Sequence, residues 1–157
     1  MIEQIANEVT NSSSVDFSNK SGSLIVRTTY PIGKVGRIEY KVIHWEDVIL
    51  RQGSSSLCLS NDDYSGVMEE HEVDACIQSL IYLQEKLVFT TPENYVEGVY
   101  NSKDGNRFGA YFQDEKWNFF GKVKGARYIT PLNNDEVTQT ISILKASKAK
   151  LSELKTR

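Results

Sequence analysis

The stretch "EVDACIQSLIYLQEKL" (Glu72–Leu87) is echoed 64 residues later by "EVTQTISILKASKAKL" (Glu136–Leu151). Six positions agree in step: Glu72/Glu136, Val73/Val137, Ile77/Ile141, Leu80/Leu144, Lys86/Lys150 and Leu87/Leu151. A recurrence at fixed offset constrains a fold strongly, because whatever precedes the first copy should have a counterpart before the second. Both copies read as amphipathic helices. In the first, Val73, Cys76, Ile77, Leu80, Leu83 (or Gln84) and Leu87 form one stripe at helical spacing. Glu69, Glu70 and Glu72 crowd its start, where the helix dipole favours anions. Thr90-Thr91-Pro92 stops it. In the second, Asn133 stands three residues before Glu136, the spacing of a capping box, and the helix should run from about Asp135 to Leu154.

The segments before each helix have period two. "SLIVRTTY" and "RIEYKVIHW" read as strands, with "PIGKVG" as a hairpin-like turn between them. "DVILRQ" and "SSLCLS" read as two shorter strands, and "SNDDYSG" as a loop. After the first helix come "NYVEGVY", "RFGAYFQ", "KWNFFGKVK" and "ARYITP", the first three separated by "SKDGN" and "QDEK" as turns. The expected fold class is therefore α+β: two antiparallel β-meanders, each followed by a helix, in a (ββββα)2 pseudo-two-fold repeat. Residues 23–157 should form one globular domain made of halves 23–90 and 91–157. A sheet with one apolar face needs a cover, so each helix should lie on its own sheet or on its partner's.

This order of elements resembles that of the Whirly and PUR-repeat families, which bind single-stranded nucleic acid. The resemblance lies in element order and not in a motif: the Lys-Gly-Lys-Ala-Ala-Leu signature of Whirly proteins is absent, and "GKVKGAR" at 121–127 is only loosely similar to it. "EEHEVDACIQSLIYL" (69–83) also looks like a stretch of uncharacterised bacterial proteins, which implies no particular activity.

A net charge of −3 and a pI near 5.5 argue against a dedicated duplex-DNA binder, which usually carries a basic excess. A local basic patch remains compatible with them. The second meander supplies one. Between Arg107 and Arg127 there are five basic residues and two acidic ones. Strand alternation puts Phe108, Ala110, Phe112, Trp117, Phe119 and Val123 on one face. Arg107, Tyr111, Lys116, Phe120, Lys122 and Lys124 fall on the other. Cations beside aromatic planes suit a sequence-tolerant single-strand surface, where phosphates meet charge and bases stack on rings. The sequence thus nominates Arg107, Lys116, Lys122, Lys124 and Arg127 for phosphates and Tyr111 and Phe120 for bases. Arg37 and Lys41 are the counterparts in the first half. The bland alternative for the same pattern is a solvated antiparallel face with cross-strand packing.

No catalytic motif is present: there is no His-Glu-x-x-His, no Gly-x-Ser-x-Gly and no phosphate-binding glycine loop. The expectation is a non-enzymatic protein without cofactor or metal. It would be a binder of single-stranded DNA or RNA, or else a protein–protein adaptor or homo-oligomerising subunit. An enzyme or metal site would need His44 and His71 to meet near Glu46, Asp47, Glu70 or Asp74. Asp62, Asp63, Glu69, Glu70, Glu72 and Asp74 form an acidic run that reads as a hydrated loop and a favourable helix start. Cys58 and Cys76 lack metal spacing and read as buried free thiols. The sequence opens without a signal peptide and holds no membrane-length apolar run, which suggests a bacterial cytoplasmic protein with no membrane role. Within residues 1–22, Ile2, Ile5, Ala6 and Val9 lie at the spacing of a short helix, which needs a surface to dock on, and "NSSSVDFSNKSGS" reads as a polar linker.

Overall fold

The computed structural model describes residues 23–155; the expected helix and linker of residues 1–22 lie outside them. The first half holds β1 (Ile25–Val35), β2 (Ile38–Asp47), β3 (Gln52–Asn61), β4 (Tyr64–Met68) and α1 (Glu70–Glu85). A 3-10 turn, Leu87–Phe89, follows. The second half holds β5 (Val96–Asn101), β6 (Arg107–Gln113), β7 (Lys116–Lys122), β8 (Thr130–Leu132) and α2 (Asn134–Lys155). Each set of strands forms its own antiparallel sheet in chain order. The duplicated ββββα plan is therefore the architecture.

The strand boundaries of the first half correct the sequence reading. "DVILRQ" is not a strand. Val48–Arg51 form the β2–β3 turn, in which Asp47 Oδ1 accepts from the backbone N–H of Ile49 (3.0 Å) and Leu50 (2.9 Å). An Asp side chain that captures nearby backbone donors favours a turn over a ladder, whatever the apolar content after it. The fourth strand is instead "YSGVM", read from sequence as loop and lead-in. "PIGKVG" is mostly strand as well. A register shift between Pro31 and Gly33 absorbs the proline, and the turn falls at Gly36-Arg37, with Gly36 at φ +58°. Proline is tolerated because β1 is an edge strand.

Both helices begin in the same way. Glu72 Oε1 accepts from the Glu69 backbone N–H (3.1 Å), and Glu136 Oε1 accepts from that of Asn133 (2.9 Å). Asn133 Oδ1 accepts from the Glu136 N–H at 2.8 Å in return, which completes the capping box that the sequence spacing implied. The matched glutamates thus do matched work 64 residues apart.

The helices are exchanged between the sheets. α2 packs on β1, β2 and β3 and also touches β8, whereas α1 packs on β5 and β6, also touches β3, and lies along α2. One shared core results. It joins Ile38, Tyr40, Val42, Leu57, Leu59 and Met68 of the first sheet to Phe108, Val123 and Leu132 of the second half. Val73, Ile77 and Leu80 of α1 and Val137, Leu144 and Leu151 of α2 fill the space between. The quoted helical stripes are core. Close approach is built in: a Cβ on Gly33 would stand 2.8 Å from Ile143 Cδ1, and one on Gly98 would stand 2.8 Å from Leu87 Cδ2.

The seam between the sheets has two matching ends. The β1–β2 turn of the first half meets β8, with Gly36 beside Thr130 and Asn61 Nδ2 donating to Thr130 Oγ1 at 3.3 Å. The β5–β6 turn of the second half meets β4. There Asp104 Oδ2 accepts from the Val67 N–H (2.8 Å) and Asn106 Nδ2 donates to the Val67 carbonyl (3.0 Å). Side chains from one half thus occupy the open edge of the other half's sheet, where bare N–H and C=O groups would otherwise invite pairing. Glu72 strengthens the same corner. Its Oε2 accepts from the Lys103 N–H at 2.6 Å, and its backbone carbonyl accepts from the Tyr100 hydroxyl at 3.1 Å.

Candidate nucleic-acid interface

The second sheet turns Phe108 and Ala110 into the core, so Arg107, Gly109, Tyr111 and Gln113 of β6 face outward. The β6–β7 register sets Arg107 opposite Lys122, Gly109 opposite Phe120, Tyr111 opposite Asn118 and Gln113 opposite Lys116. The face assignment made from alternation therefore holds, with no bulge to invert it.

Three rings cross this outer face. Tyr95 and Tyr111 have centroids 6.3 Å apart, and Tyr111 and Phe120 are 6.0 Å apart, both pairs tilted. The Arg107 guanidinium lies 6.0 Å from the Phe120 centroid, and its Nε donates to Asn101 Oδ1 at 3.1 Å. Lys122 flanks Arg107 across the strands, and Lys116 stands exposed beside the β6–β7 turn. Glu97, opposite Tyr111, accepts from the Tyr95 hydroxyl at 2.7 Å. That hydrogen bond pushes the Tyr95 phenol above its ordinary range.

Phe120 does not have the role its composition suggests. It sits on the outward face, yet it is only 4% exposed. The cause is its partner. Gly109 has no side chain, and a Cβ there would lie 3.2 Å from Phe120 Cε1. The ring settles over the glycine and is roofed by Arg107 and Tyr111. Phe120 is the floor of the cluster and cannot stack a base as it stands. Tyr95 takes its place as an outer ring, 58% exposed. The sequence reading missed it, although "NYVEGVY" places it directly before β5.

The remaining nominated residues do not share this surface. Lys124 is tied to Asp104, Nζ to Oδ1 at 2.9 Å, and its backbone N–H donates to Asn106 Oδ1 at 3.0 Å, so it serves the seam. Lys41 lies on the outer face of the first sheet, paired with Glu39 at 2.8 Å. Arg37 and Arg127 come together instead. Both line a cavity of about 570 Å³ at the seam, with Asp62, Tyr64, Tyr128 and Pro131. Pro131 pairs with Phe120, so the cavity borders the aromatic face.

His44 and His71 line one cleft at the far end of the first sheet, together with Glu46, Glu70 and Asp74. His44 Nδ1 lies 2.6 Å from Ser55 Oγ on the neighbouring strand, and His71 Nδ1 lies 3.5 Å from Glu69 Oε2. Asp74 pairs with Lys148 at 2.6 Å, and Glu70 accepts from Ser152 (2.6 Å) and pairs with Lys155 (3.2 Å). The acidic run is thus distributed among a turn, a helix start and ties to α2. Among the described residues no group of three or more His, Cys, Asp or Glu is placed to hold a metal ion, and no helix is long and apolar enough to cross a membrane. Both cysteines are free thiols, Cys76 buried and Cys58 partly so.

The chain is an α+β protein built from two exchanged ββββα halves, with a basic, aromatic outer face on the second sheet. It matches no protein-family model, no curated protein and no solved structure.

Proposed function

We propose that this chain is a non-enzymatic binding protein of the bacterial cytoplasm that takes single-stranded DNA or RNA on the outer face of its second sheet. The observation that carries this reading is the run of Tyr95, Tyr111 and Phe120 with Arg107 over it and Lys122 and Lys116 beside it. Unpaired bases have open faces that stack on tyrosines, and their phosphates lie within reach of flanking cations. Arg37 and Arg127 extend the positive charge at the bordering cavity. The element order shared with Whirly and PUR-repeat proteins is in keeping with this assignment, but the surface carries it.

The test is fluorescence anisotropy of labelled oligothymidine and oligouridine across a salt series. If Arg107, Lys116 and Lys122 each neutralise one phosphate, log affinity should fall against log salt with a slope of roughly −2, at about −0.7 per contact. Absence of binding at low salt refutes the reading. A second reading, a protein–protein adaptor or self-associating subunit, is favoured by the apolar β2–β3 tip, where Ile49 is 69% and Leu50 51% exposed. Sedimentation of the wild-type chain beside an Ile49→Ser/Leu50→Ser variant separates the two. A sedimentation difference supports the adaptor reading; oligonucleotide binding indifferent to the tip supports the first.

A further inference from the structure

The seam cavity that Arg37 and Arg127 line holds about 570 Å³, within the range of small-ligand pockets. Both halves build its wall. Asn61 ends β3 and Tyr64 begins β4, while Thr130 opens β8 and Tyr128 lies just before it. Asn61 is only 8% exposed. Its Nδ2 donates to Thr130 Oγ1, but its Oδ1 is buried with no hydrogen-bond partner among the described residues. Buried side-chain acceptors nearly always have a partner, so an orphan on a cavity wall marks a place for a ligand N–H. The other groups of the wall are also uncommitted. Arg37 and Arg127 are exposed, and neither has an ion-pair or hydrogen-bond partner among the described residues. Tyr64 and Tyr128 are 42% and 75% exposed, and neither ring stacks on another ring among those residues. Asp62 is the carboxylate of this wall, and the two arginines outweigh it.

We propose that this cavity binds a purine nucleoside 5′-monophosphate unit. Its base lies on Tyr64 and Tyr128, a base N–H donates to Asn61 Oδ1, and its phosphate meets Arg37 and Arg127. Each wall group asks for one part of that ligand. Two unpaired guanidinium groups favour a phosphate, whose oxygens accept from planar donor forks. Free tyrosine rings favour a flat heterocycle, and a bicyclic purine covers more of a ring than a pyrimidine does. The orphaned amide oxygen excludes a ligand without a donor at that point. A phosphorylated sugar lacks the ring, and a nucleoside lacks the charge. The same unit occurs as a free nucleotide and at the 5′-phosphorylated end of a strand. The site uses neither Tyr95 nor Tyr111, so it stands whether or not the outer face of the second sheet takes nucleic acid.

The experiment is calorimetric titration of the full chain with AMP and GMP, beside adenosine, ribose 5-phosphate and inorganic phosphate. One equivalent of AMP or GMP should bind, and the three partial ligands should bind at least about tenfold more weakly. Tyr128→Ala and Arg127→Ala alter exposed side chains and leave the core alone; each should weaken the nucleotide by about tenfold or more. Asn61→Leu should weaken the nucleotide but leave ribose 5-phosphate unchanged, a split that a general loosening of the seam would not produce. Tyr95→Ala/Tyr111→Ala should have no effect on either. Competition by a 5′-phosphorylated oligoadenylate would support the site with a strand end as its source, and lack of competition would support it with the free nucleotide. No binding of AMP or GMP at millimolar concentration would overturn the proposal. So would phosphate binding as tightly as AMP, or nucleotide binding that is lost with Tyr95 and Tyr111 and indifferent to Tyr128.

Discussion

The side-chain amide of Asn106 donates to the backbone carbonyl of Val67 at 3.0 Å, joining the first hairpin of the second half to the last strand of the first. Asn106 is wholly buried, and its carbonyl oxygen accepts from the Lys124 N–H while its amide also reaches Ser102 Oγ at 3.2 Å. Replacement by Ala would strand the Val67 carbonyl and the Lys124 N–H together. Each buried polar group left without a partner costs roughly 1–3 kcal/mol. Asn106→Ala should therefore lose about 3 kcal/mol in urea unfolding, with an unchanged denaturant slope.

Phe120 and Tyr111 should separate stability from binding. Phe120→Ala removes a ring that covers Gly109 and should destabilise the fold by about 3 kcal/mol. Tyr95→Ala removes an exposed outer ring and should leave the melting temperature nearly unchanged, whereas Tyr111→Ala also uncovers one side of Phe120 and should lower it slightly, by less than Phe120→Ala. Each should weaken oligonucleotide affinity by roughly 1–3 kcal/mol, a factor of about ten or more. Equal affinity for wild type and Tyr95→Ala/Tyr111→Ala would remove the stacking role.

The β6–β7 turn stores strain that substitution can relieve. Asp114 (φ 56°) and Glu115 (φ 63°) both adopt the left-handed conformation in the two-residue loop between Gln113 and Lys116. Asn-Gly fits that turn better than Asp-Glu. Asp114→Asn/Glu115→Gly should stabilise the protein by about 1 kcal/mol, read as a rise in melting temperature.

Alkaline pH should open the fold through the buried phenol of Tyr40 and the half-buried one of Tyr100. Burial, with Cys76 and Glu72 nearby, pushes Tyr100 up to about 12, and burial pushes the fully enclosed Tyr40 higher still. Both are neutral in the folded chain, and an unfolded phenol titrates near 10. A pKa raised by folding means that the stabilisation is complete below pH 10 and is lost as pH climbs toward about 12. In a 295 nm titration, Tyr40 should ionise only as near-UV ellipticity collapses. Tyr100→Phe should move the collapse to higher pH.

Much of this architecture was legible because it rests on local, periodic signals. The helix stripes, the Asn133–Glu136 cap and the hairpin order of the second half all repeat at spacings that a sequence displays. The first half was harder. "VILRQ" has the composition of a strand, and only the Asp47 carboxylate, which takes the following N–H groups, makes it a turn. The candidate face was half legible. Alternation sorted β6 and β7 correctly, but the pairing of Phe120 with Gly109 is a register property, invisible until the strands are aligned. Lys124 left the surface for a similar reason: its partner Asp104 lies across the hairpin, where no spacing rule points. The meeting of Arg37 with Arg127 depends on how the two halves dock.

The exchange of helices makes the two halves mutually dependent. Cut between Thr90 and Tyr95, in the stretch that joins the 3-10 turn to β5, each fragment would keep a sheet without its lid and a helix without its seat. Neither piece satisfies itself, yet each carries what the other lacks. Two copies of a single half would meet the same need by trading helices. In that sense the chain is a dimer whose subunits have been joined by a tether, and co-expressed fragments should reassemble where separate ones aggregate.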